Sequence, residues 1–301
     1  MSPDNVRAAW RELTRTRQLV RVPGVYDGLS ARIAQQVGFS AVAFSGNAVS
    51  ASLLGMPDVG MLGMSENLEH VGRIARQLDI PVICDADTGY GGVLNVVRTV
   101  QEFEAAGIAA IHIEDQVTPK RCGLLPQGIP VVSQEEHAQK IRAAVQARRS
   151  PDFWIIARTD AKSMHGLEDA ARRGRAYVQA GADAVLVMGA NTPEELRYVA
   201  GVVGAPLVTV IQESAPSNQL TDAVLQEVGC VLALHAGTTR YAAVQAIHEV
   251  LSTLHRDQHT HAVNHRMASF EQYNQALGLP AWLALEAELL KPMDGTNQVP
   301  P

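Results

Sequence analysis

The residues that most strongly suggest chemistry are acids at the ends of two apolar runs. Asp85 and Asp87 end one run, and Glu114 and Asp115 end another. Side chains alternate along a strand, so Asp85 and Asp87 are expected on the same side. Grouped carboxylates repel one another unless a hard dication binds them, which predicts a Mg²⁺ site with Mn²⁺ as the alternative metal. Helix capping and salt bridges are the purely structural interpretation, but four acids together favour the metal.

Two further segments carry groups suited to a small carboxylic acid. Arg158 also ends an apolar run. Its guanidinium can hold a substrate carboxylate through two parallel hydrogen bonds, and it can pair with one of the acids at the same time. Ser45, Gly46 and Asn47 follow another run and offer a hydroxyl group and exposed backbone N–H groups. Such groups suit the same kind of anion.

A basic segment begins five residues beyond Asp115 and contains Lys120, Arg121, Cys122 and Gly123. Cationic neighbours favour the thiolate form of a cysteine, so Cys122 is expected to exchange a proton with a carbanion. A lone loop cysteine is often inert, but two basic neighbours beside a predicted metal site favour the reactive interpretation.

The other two cysteines, Cys84 and Cys230, lie within apolar runs and are interpreted as small core residues. The three cysteines have no paired spacing. The sequence therefore predicts neither a disulfide framework nor a zinc site.

These segments need a scaffold that brings their ends together. The sequence contains eight short apolar runs separated by helical patterns, and four of the runs follow a glycine that suits the end of a helix. This order predicts an α/β domain, a (β/α)₈ barrel of the TIM type over residues 1–255, more than a doubly wound sheet. Polar residues at the strand ends then surround one mouth. The predicted strands are residues 19–26, 38–46, 81–87, 107–115, 154–160, 181–189, 206–211 and 229–235.

Residues 256–301 form an extension with extra C-terminal helices that a barrel does not need. A His-rich linker follows the eighth helix, and helical patterns lie near residues 266–277 and 281–290. The apolar last pattern predicts packing on a partner subunit or on the chain's own barrel, and the pattern leaves both open. The linker histidines lack regular ligand spacing and are expected in a solvated loop.

Composition narrows the class of partner. The 301 residues are 47% hydrophobic and 19% charged, with a formal net charge of −6 and no Lys/Arg-rich block. These values fit a folded protein and argue against nucleic acid or an anionic membrane as the main partner. The sequence contains no run of about 18 apolar residues and no apolar signal-peptide core, which predicts a cytoplasmic protein.

Taken together, the motifs resemble those of the isocitrate lyase/phosphoenolpyruvate mutase superfamily, over about residues 18–290. The Lys-Arg-Cys-Gly segment is most similar to the branch of methylisocitrate and dimethylmalate lyases. The matching motifs are PGVYD at residues 23–27, SGN at 45–47, Asp58, CDADTGYG at 84–91, IEDQ at 113–116, KRCG at 120–123 and ARTD at 157–160.

The resemblance implies a metal site and an assembly. Mg²⁺ is expected to bind Asp85 directly, with Asp58, Asp87 and Glu114 in its inner or water-mediated shell. The last helix of the barrel is expected to be exchanged between neighbours in a dimer, with two dimers forming a homotetramer. The extra C-terminal helices would then pack on a neighbouring subunit.

The resemblance also implies roles in binding and catalysis. Ser45, Gly46 and Arg158 are expected to hold a pyruvate-like part of the substrate, under a loop that carries Cys122. Cys122 would protonate the departing carbanion after a retro-aldol cleavage that releases pyruvate or another 2-oxo acid. Lys120 is assigned to catalysis beside it. The remaining residues assigned to substrate binding are Tyr26, Asn47, Gly123, Gln212 and His235.

The sequence departs from the lyase pattern where the second product is held. Leu124 and Leu125 replace a histidine after Gly123, Met188 stands where a glutamate is expected, and Val210 with Gln212 replaces an Asn-x-Thr motif. The predicted substrate is a 2-hydroxy di- or tricarboxylic acid of the 2-methylisocitrate or alkylmalate type, and the fewer polar contacts favour a less polar leaving group, such as that of an alkylmalate. An oxaloacetate decarboxylase is the alternative activity, a non-catalytic binding relative is the alternative of another class, and a phosphonate mutase or hydrolase is a minor fourth.

Overall fold

All eight predicted strands form in this chain, whose computed structural model describes residues 3–123, 128–213 and 215–291. They are parallel and close into a barrel in sequence order, with β1 paired to both β2 and β8. The prediction of a (β/α)₈ barrel is therefore confirmed. The strands are β1 (Val20–Val25), β2 (Val42–Phe44), β3 (Val82–Asp85), β4 (Ala110–Glu114), β5 (Trp154–Thr159), β6 (Ala184–Val187), β7 (Leu207–Ile211) and β8 (Cys230–His235).

Helices connect the strands and surround the barrel. A π-helical turn at Ser50–Leu54 and 3₁₀ turns at Pro216–Gln219 and His261–Arg266 supplement them. The helices are α1 (Pro3–Thr16), α2 (Gly28–Val37), α3 (Gly46–Val49), α4 (Met64–Ala75), α5 (Val93–Ala105), α6 (Gln134–Ala147), α7 (Lys162–Gln179), α8 (Pro193–Val203), α9 (Asp222–Glu227), α10 (Thr238–Asp257), α11 (Phe270–Ala276) and α12 (Leu279–Leu289).

Glycines end the helices that lead into the strands, as the sequence predicts. Gly38 follows α2 with φ 104°, and Gly181 follows α7 with φ 106°. Both angles lie in the left-handed region, where glycine carries no Cβ penalty. These glycines let the chain leave each helix and enter the next strand within a few residues.

Apolar side chains fill both the barrel and the layer between strands and helices. Ile83, Ile156 and Leu186 belong to a buried cluster inside the barrel that also includes Trp10 of α1. The Trp10 ring meets the ring of Trp154 edge to face at a centroid distance of 5.5 Å. Since Trp154 begins its strand, α1 closes the amino-terminal end of the barrel.

The chain divides into two compact units, residues 1–245 and 246–301, and their boundary falls within α10. Thr253 is the one buried residue of α10, all of which the structure describes. None of the residues of α12 is buried, and the Trp282 side chain is 59% exposed. None of the described helices is both long and apolar enough to cross a lipid bilayer.

The closure of the barrel between β1 and β8 gives a test of the fold. A methyl group on Gly24 would lie 2.6 Å from the carbonyl oxygen of Ala236, and backbone cannot move aside as a side chain can. We expect Gly24→Ala to lower the free energy of unfolding by about 2 kcal/mol, measured by urea denaturation. Gly28→Ala is the control, because no atom lies within 4 Å of its added methyl. An equal loss in both variants would contradict the close approach.

Candidate active site

The end of β3 places two carboxylates beside a backbone amide. Asp85 is buried, and its Oδ2 accepts a hydrogen bond from the Gly46 N–H at 3.1 Å. Its Oδ1 accepts one from the Asp87 N–H at 3.1 Å. Asp87 lies just past the strand with φ 47°, so a turn, rather than strand alternation, brings its carboxylate to the side of Asp85.

Lys120 joins the loop after β4 to these acids. Its Nζ lies 2.6 Å from Asp58 Oδ1 and 2.9 Å from Asp87 Oδ1, and its side chain is 5% exposed. Burial lowers the pKa of Lys120, but Asp87, Asp85 and the other carboxylates outweigh burial and raise it above its usual range. The ammonium therefore stays charged. Asp58, expected here only from the family resemblance, lies within the acid cluster.

Arg158 pairs with acids on three sides. Its Nε and Nη2 donate to the Asp160 carboxylate at 2.9 and 3.0 Å. Its Nη1 lies 2.9 Å from Glu114 Oε2 and 3.8 Å from Asp85 Oδ2. The salt bridge considered at the sequence level is present, and the guanidinium is fixed at the mouth of the barrel.

The acid cluster carries an excess of negative charge. Burial raises the pKa of Asp87 to about 7, helped by the Asp85 and Asp58 carboxylates and opposed by Lys120. Burial likewise raises the pKa of Glu114 well above its usual range, although Arg158 opposes it. The ion pairs join five carboxyl groups to two cations. The acids are Asp58, Asp85, Asp87, Glu114 and Asp160, and the cations are Lys120 and Arg158.

Asp85 differs from the other acids. Burial alone would raise its pKa, but His112, Lys120 and Arg158 hold the pKa below its usual range. Burial also lowers the pKa of His112, so its imidazole is neutral at pH 7. We therefore assign the effect on Asp85 to the permanent charges of Lys120 and Arg158. Of Asp85, Asp87 and Glu114, only Asp85 has a pKa below its usual range.

The buried acids offer oxygen donors, the ligand type that a hard cation such as Mg²⁺ or Mn²⁺ takes. Glu114 Oε1 is buried without a hydrogen-bond partner, and the ion-pair contacts of Asp87 Oδ1 and Glu114 Oε2 lack hydrogen-bond geometry. Within the described residues no three Asp, Glu, His or Cys side chains converge at metal-binding distances. The Lys120 ammonium lies between Asp58 and Asp87 and shows that positive charge is accommodated there.

The loop after β4 also brings Cys122 to the site. Cys122 is half-buried and lines one cavity with Asp85, His112 and Arg158. Both cations that flank Cys122 in the sequence have other partners, because Lys120 pairs with acids and Arg121 Nη1 donates to the carbonyl oxygen of Val59 at 2.8 Å. The reactive interpretation of Cys122 stays a prediction. Leu124 and Leu125 lie outside the described residues.

Gly123 packs against the arginine. A methyl group on it would lie 2.5 Å from Asp160 Oδ1 and 2.8 Å from Arg158 Nη2. The absence of a side chain at this position is therefore what lets the loop approach the guanidinium.

Apolar side chains form one wall of the same cavity, and polar groups lie around the rest. Gln212, Asn47 and Ser45 line it, with the Asn47 side-chain oxygen accepting from Arg240 Nη1 at 2.5 Å. Ser45 Oγ caps α3 by accepting from the Ala48 N–H, which leaves its hydroxyl hydrogen free to donate. The apolar residues are Phe44, Leu186, Met188, Val210 and Leu234.

Three predicted placements are corrected. Asp115 turns outward, because it follows the inward Glu114 on the same strand and successive side chains alternate. His235 turns outward for the same reason beside the inward Leu234, and its Nε2 lies 2.8 Å from Arg21 Nη1. Tyr26 lines the same separate cavity as His235, outside the group around Asp85.

Three residues at the site were missed from the sequence. His112 lies two residues before Glu114, and its Nδ1 is 3.2 Å from Asp85 Oδ1. Asp160 lies two residues after Arg158. The period of two along each strand could have found both. Arg240 begins α10 beyond the strand end, and no sequence pattern relates it to Asn47.

An eight-stranded parallel barrel with ionisable residues at the carboxyl ends of its strands is the arrangement of (β/α)₈ enzymes. The family profile described as Phosphoenolpyruvate phosphomutase matches residues 10–255. The chain therefore belongs to the phosphoenolpyruvate mutase/isocitrate lyase superfamily, and it is an enzyme of the carbon–carbon lyase and mutase class found there.

Individual relatives agree with this assignment. The chain is 38% identical to the 2,3-dimethylmalate lyase of Eubacterium barkeri over 91% of this chain and 95% of the relative. It is 44% identical to a 2-methylisocitrate lyase of Aeropyrum pernix over 80% and 77% of the two chains. A solved phosphonopyruvate hydrolase in complex with oxalate and Mg²⁺ superposes with a TM-score of 0.85 at 34% identity, covering 97% of this chain and all of that one. The relatives share a fold and differ in reaction.

The close approach of Gly46 to the acids gives a test of the metal site. A methyl group on Gly46 would lie 2.8 Å from Asp87 Oδ1 and 3.4 Å from Asp85 Oδ2. We expect Gly46→Ala to weaken Mn²⁺ binding by about tenfold or more, measured by the electron paramagnetic resonance of free Mn²⁺. Gly92→Ala, whose methyl meets no atom within 4 Å, should bind Mn²⁺ as the wild type does. Unchanged affinity in Gly46→Ala would refute a metal site beside it.

Proposed function

We propose that this protein is a Mg²⁺-dependent carbon–carbon lyase that cleaves a small 2-hydroxy dicarboxylic acid of the alkylmalate type. The products would be pyruvate or another 2-oxo acid and a simple carboxylate. The observation that carries the proposal is one cavity that combines Cys122 with Asp85 and Arg158. In the proposed reaction Cys122 would be the proton donor, Asp85 a metal ligand and Arg158 the cation that binds the substrate carboxylate.

The half of the substrate that becomes the 2-oxo acid would lie against the acid cluster. When bound, Mg²⁺ supplies positive charge that stabilises the negative oxygen beside the breaking bond. Arg158 would hold the adjacent carboxylate with the N–H groups that Asp160 does not engage. The Ser45 hydroxyl would donate to the same anion. Gly46 keeps this space open by having no side chain.

The other half of the substrate would receive a proton. A carboxylate of the acid cluster would accept the hydroxyl proton, the oxygen would form a carbonyl while the carbon–carbon bond breaks, and the electron pair would remain on the carbon that departs. The Cys122 thiol then delivers a proton to that carbon, which yields the carboxylate product. Lys120 keeps a positive charge among the acids, where it would limit their repulsion of the anionic substrate.

The leaving fragment would be mainly apolar. Met188 and Val210 face the cavity together with Leu234, and such a wall suits an alkyl substituent. Arg240 and Gln212 offer a few polar contacts on the same cavity, enough for a single carboxylate. A substrate with several carboxylates on this side, such as 2-methylisocitrate, would leave charges buried without partners.

The apolar wall also favours one alternative, a decarboxylase that acts on oxaloacetate. Such a reaction releases CO₂ and needs no polar contacts to a second organic product. Its leaving group, CO₂, takes up no proton, so Cys122 is not needed as a proton donor to the leaving carbon. The two activities therefore differ in their dependence on the thiol.

Pyruvate release coupled to lactate dehydrogenase separates these reactions. We expect wild-type protein with Mg²⁺ to cleave dimethylmalate or methylmalate faster than methylisocitrate or oxaloacetate. Cys122→Ser should lower kcat by about a hundredfold or more, because general acid catalysis contributes at least that much. Cys230→Ala, at a buried cysteine of β8, is the matched control and should keep its activity. Turnover confined to oxaloacetate and indifferent to Cys122→Ser would favour the decarboxylase, and no turnover with any of these acids would favour a non-catalytic relative.

For the assembly we propose a homotetramer of helix-exchanged dimers. A cavity of about 500 Å³ opens on the outside of the barrel, lined by apolar side chains of α2 such as Leu29 and Ile33 and by Arg21 and His235. Helices of a second copy suit such a groove, since no residue of α12 is buried within its own chain.

Analytical ultracentrifugation tests this assembly. We expect a tetramer for the wild type and a smaller species for Trp282→Glu, because a charge replaces an indole that the partner would bury. Tyr198→Glu, at a 43% exposed aromatic residue of α8, should leave the mass unchanged. A monomeric wild type would refute the proposal.

A further inference from the structure

The carboxylate of Asp115 points out of the barrel and contacts four other residues. Asp115 is fully buried, and its Oδ2 accepts from Thr159 Oγ1 at 2.7 Å and from Tyr177 Oη at 2.9 Å. Its Oδ1 accepts from the Asp160 N–H at 2.9 Å. Arg173 Nη1 lies 3.4 Å from the same carboxylate and supplies the opposite charge.

Two of these partners are consecutive residues at the carboxyl end of β5. From the neighbouring strand, Asp115 therefore accepts hydrogen bonds from both the side chain of Thr159 and the backbone of Asp160. Thr159 Oγ1 in turn accepts from the Ala161 N–H at 3.2 Å. The strand end is fixed at the point where it turns from the barrel into α7.

Asp160 transmits this restraint into the barrel. Its carboxylate faces Arg158 and engages Nε and Nη2 in a bidentate pair, which sets both the position and the plane of the guanidinium. Glu114 and Asp85 also attract the guanidinium through Nη1. Without a fixed Asp160, the arginine would be drawn towards these two acids and away from a substrate carboxylate.

We propose that Asp115 is a positioning residue for Arg158, acting through Asp160 from outside the barrel. The inference rests on the proposed function, in which Arg158 holds the carboxylate of the 2-oxo acid. Asp115 does not touch the substrate. Asp115 keeps the Arg158 guanidinium from moving towards Glu114 and Asp85. Its loss would therefore weaken substrate binding more than it would slow the bond-breaking step.

The variant that isolates this role is Asp115→Asn. Its side-chain oxygen can accept only part of the four contacts, and its NH₂ group cannot accept the hydrogen bonds that the carboxylate takes from Tyr177 and Arg173. We expect KM for the 2-hydroxy acid to rise about tenfold while kcat stays within about threefold. The reason is that a misplaced Arg158 would weaken a charged hydrogen bond that holds the substrate both before and during the reaction. The dissociation constant of oxalate with Mg²⁺, measured by calorimetry, should rise by a similar factor.

Two further variants separate positioning from general stability. Asp169→Asn removes the other carboxylate paired with Arg173, whose Nε it accepts at 2.7 Å, but leaves the end of β5 intact. It should keep the wild-type KM and oxalate affinity even if its melting temperature falls. Thr159→Val removes one contact to Asp115 and should raise KM less than Asp115→Asn does, which keeps the test usable if the asparagine variant folds poorly.

The outcomes distinguish this proposal from the proposed function. Wild-type KM and oxalate affinity in Asp115→Asn and Thr159→Val would overturn the positioning role whatever the reaction. Oxalate binding that weakens in Asp115→Asn, in a protein whose wild type cleaves no hydroxy acid, would support the positioning role and refute the lyase. A wild type that neither binds oxalate nor releases pyruvate would overturn both.

Discussion

The burial of several carboxyl groups at one end of the barrel is the constraint on which the rest of the site depends. Asp85, Asp87 and Glu114 lie close enough that burial and mutual repulsion raise the pKa of two of them. Lys120 and Arg158 offset part of this charge and hold the pKa of Asp85 low. The remaining excess of negative charge is what a divalent cation would relieve.

The alternation of side chains along each strand divides the acids between two tasks. Glu114 points into the barrel and joins the charged cluster, whereas Asp115, its neighbour, points out and joins β4 to β5 and α7. Arg158 and Asp160 share one side for the same reason. Adjacent residues of one motif thus belong to two different sets of contacts, one inside the barrel and one outside it. In the proposed positioning role, the outer contacts would set where Arg158 lies, because a long cationic side chain otherwise moves to the nearest acid.

In the proposed reaction, selectivity among substrates would come from the apolar residues that line the cavity. The acid cluster and Arg158 would bind the features that every 2-oxo or 2-hydroxy acid has in common. Met188 and Val210, which line the same cavity, would contact the part that differs between such acids. An apolar wall discriminates against extra carboxylates more sharply than among alkyl groups, because burying an unpaired charge costs far more than misplacing a methyl group.

The sequence by itself determined the barrel, since eight apolar runs separated by helical patterns and glycines can bury their strands in few other ways. It also located the strand ends that carry Asp85, Glu114 and Arg158, because in such a barrel those ends meet at one mouth. Only the tertiary structure decided that Asp115 and His235 face outward. Strand alternation can be applied only once the strand boundaries and register are known, and a displacement of one residue exchanges the two faces. The partners of Lys120 were likewise decided by three-dimensional packing, because a flexible cation pairs with whichever acids the fold brings nearest.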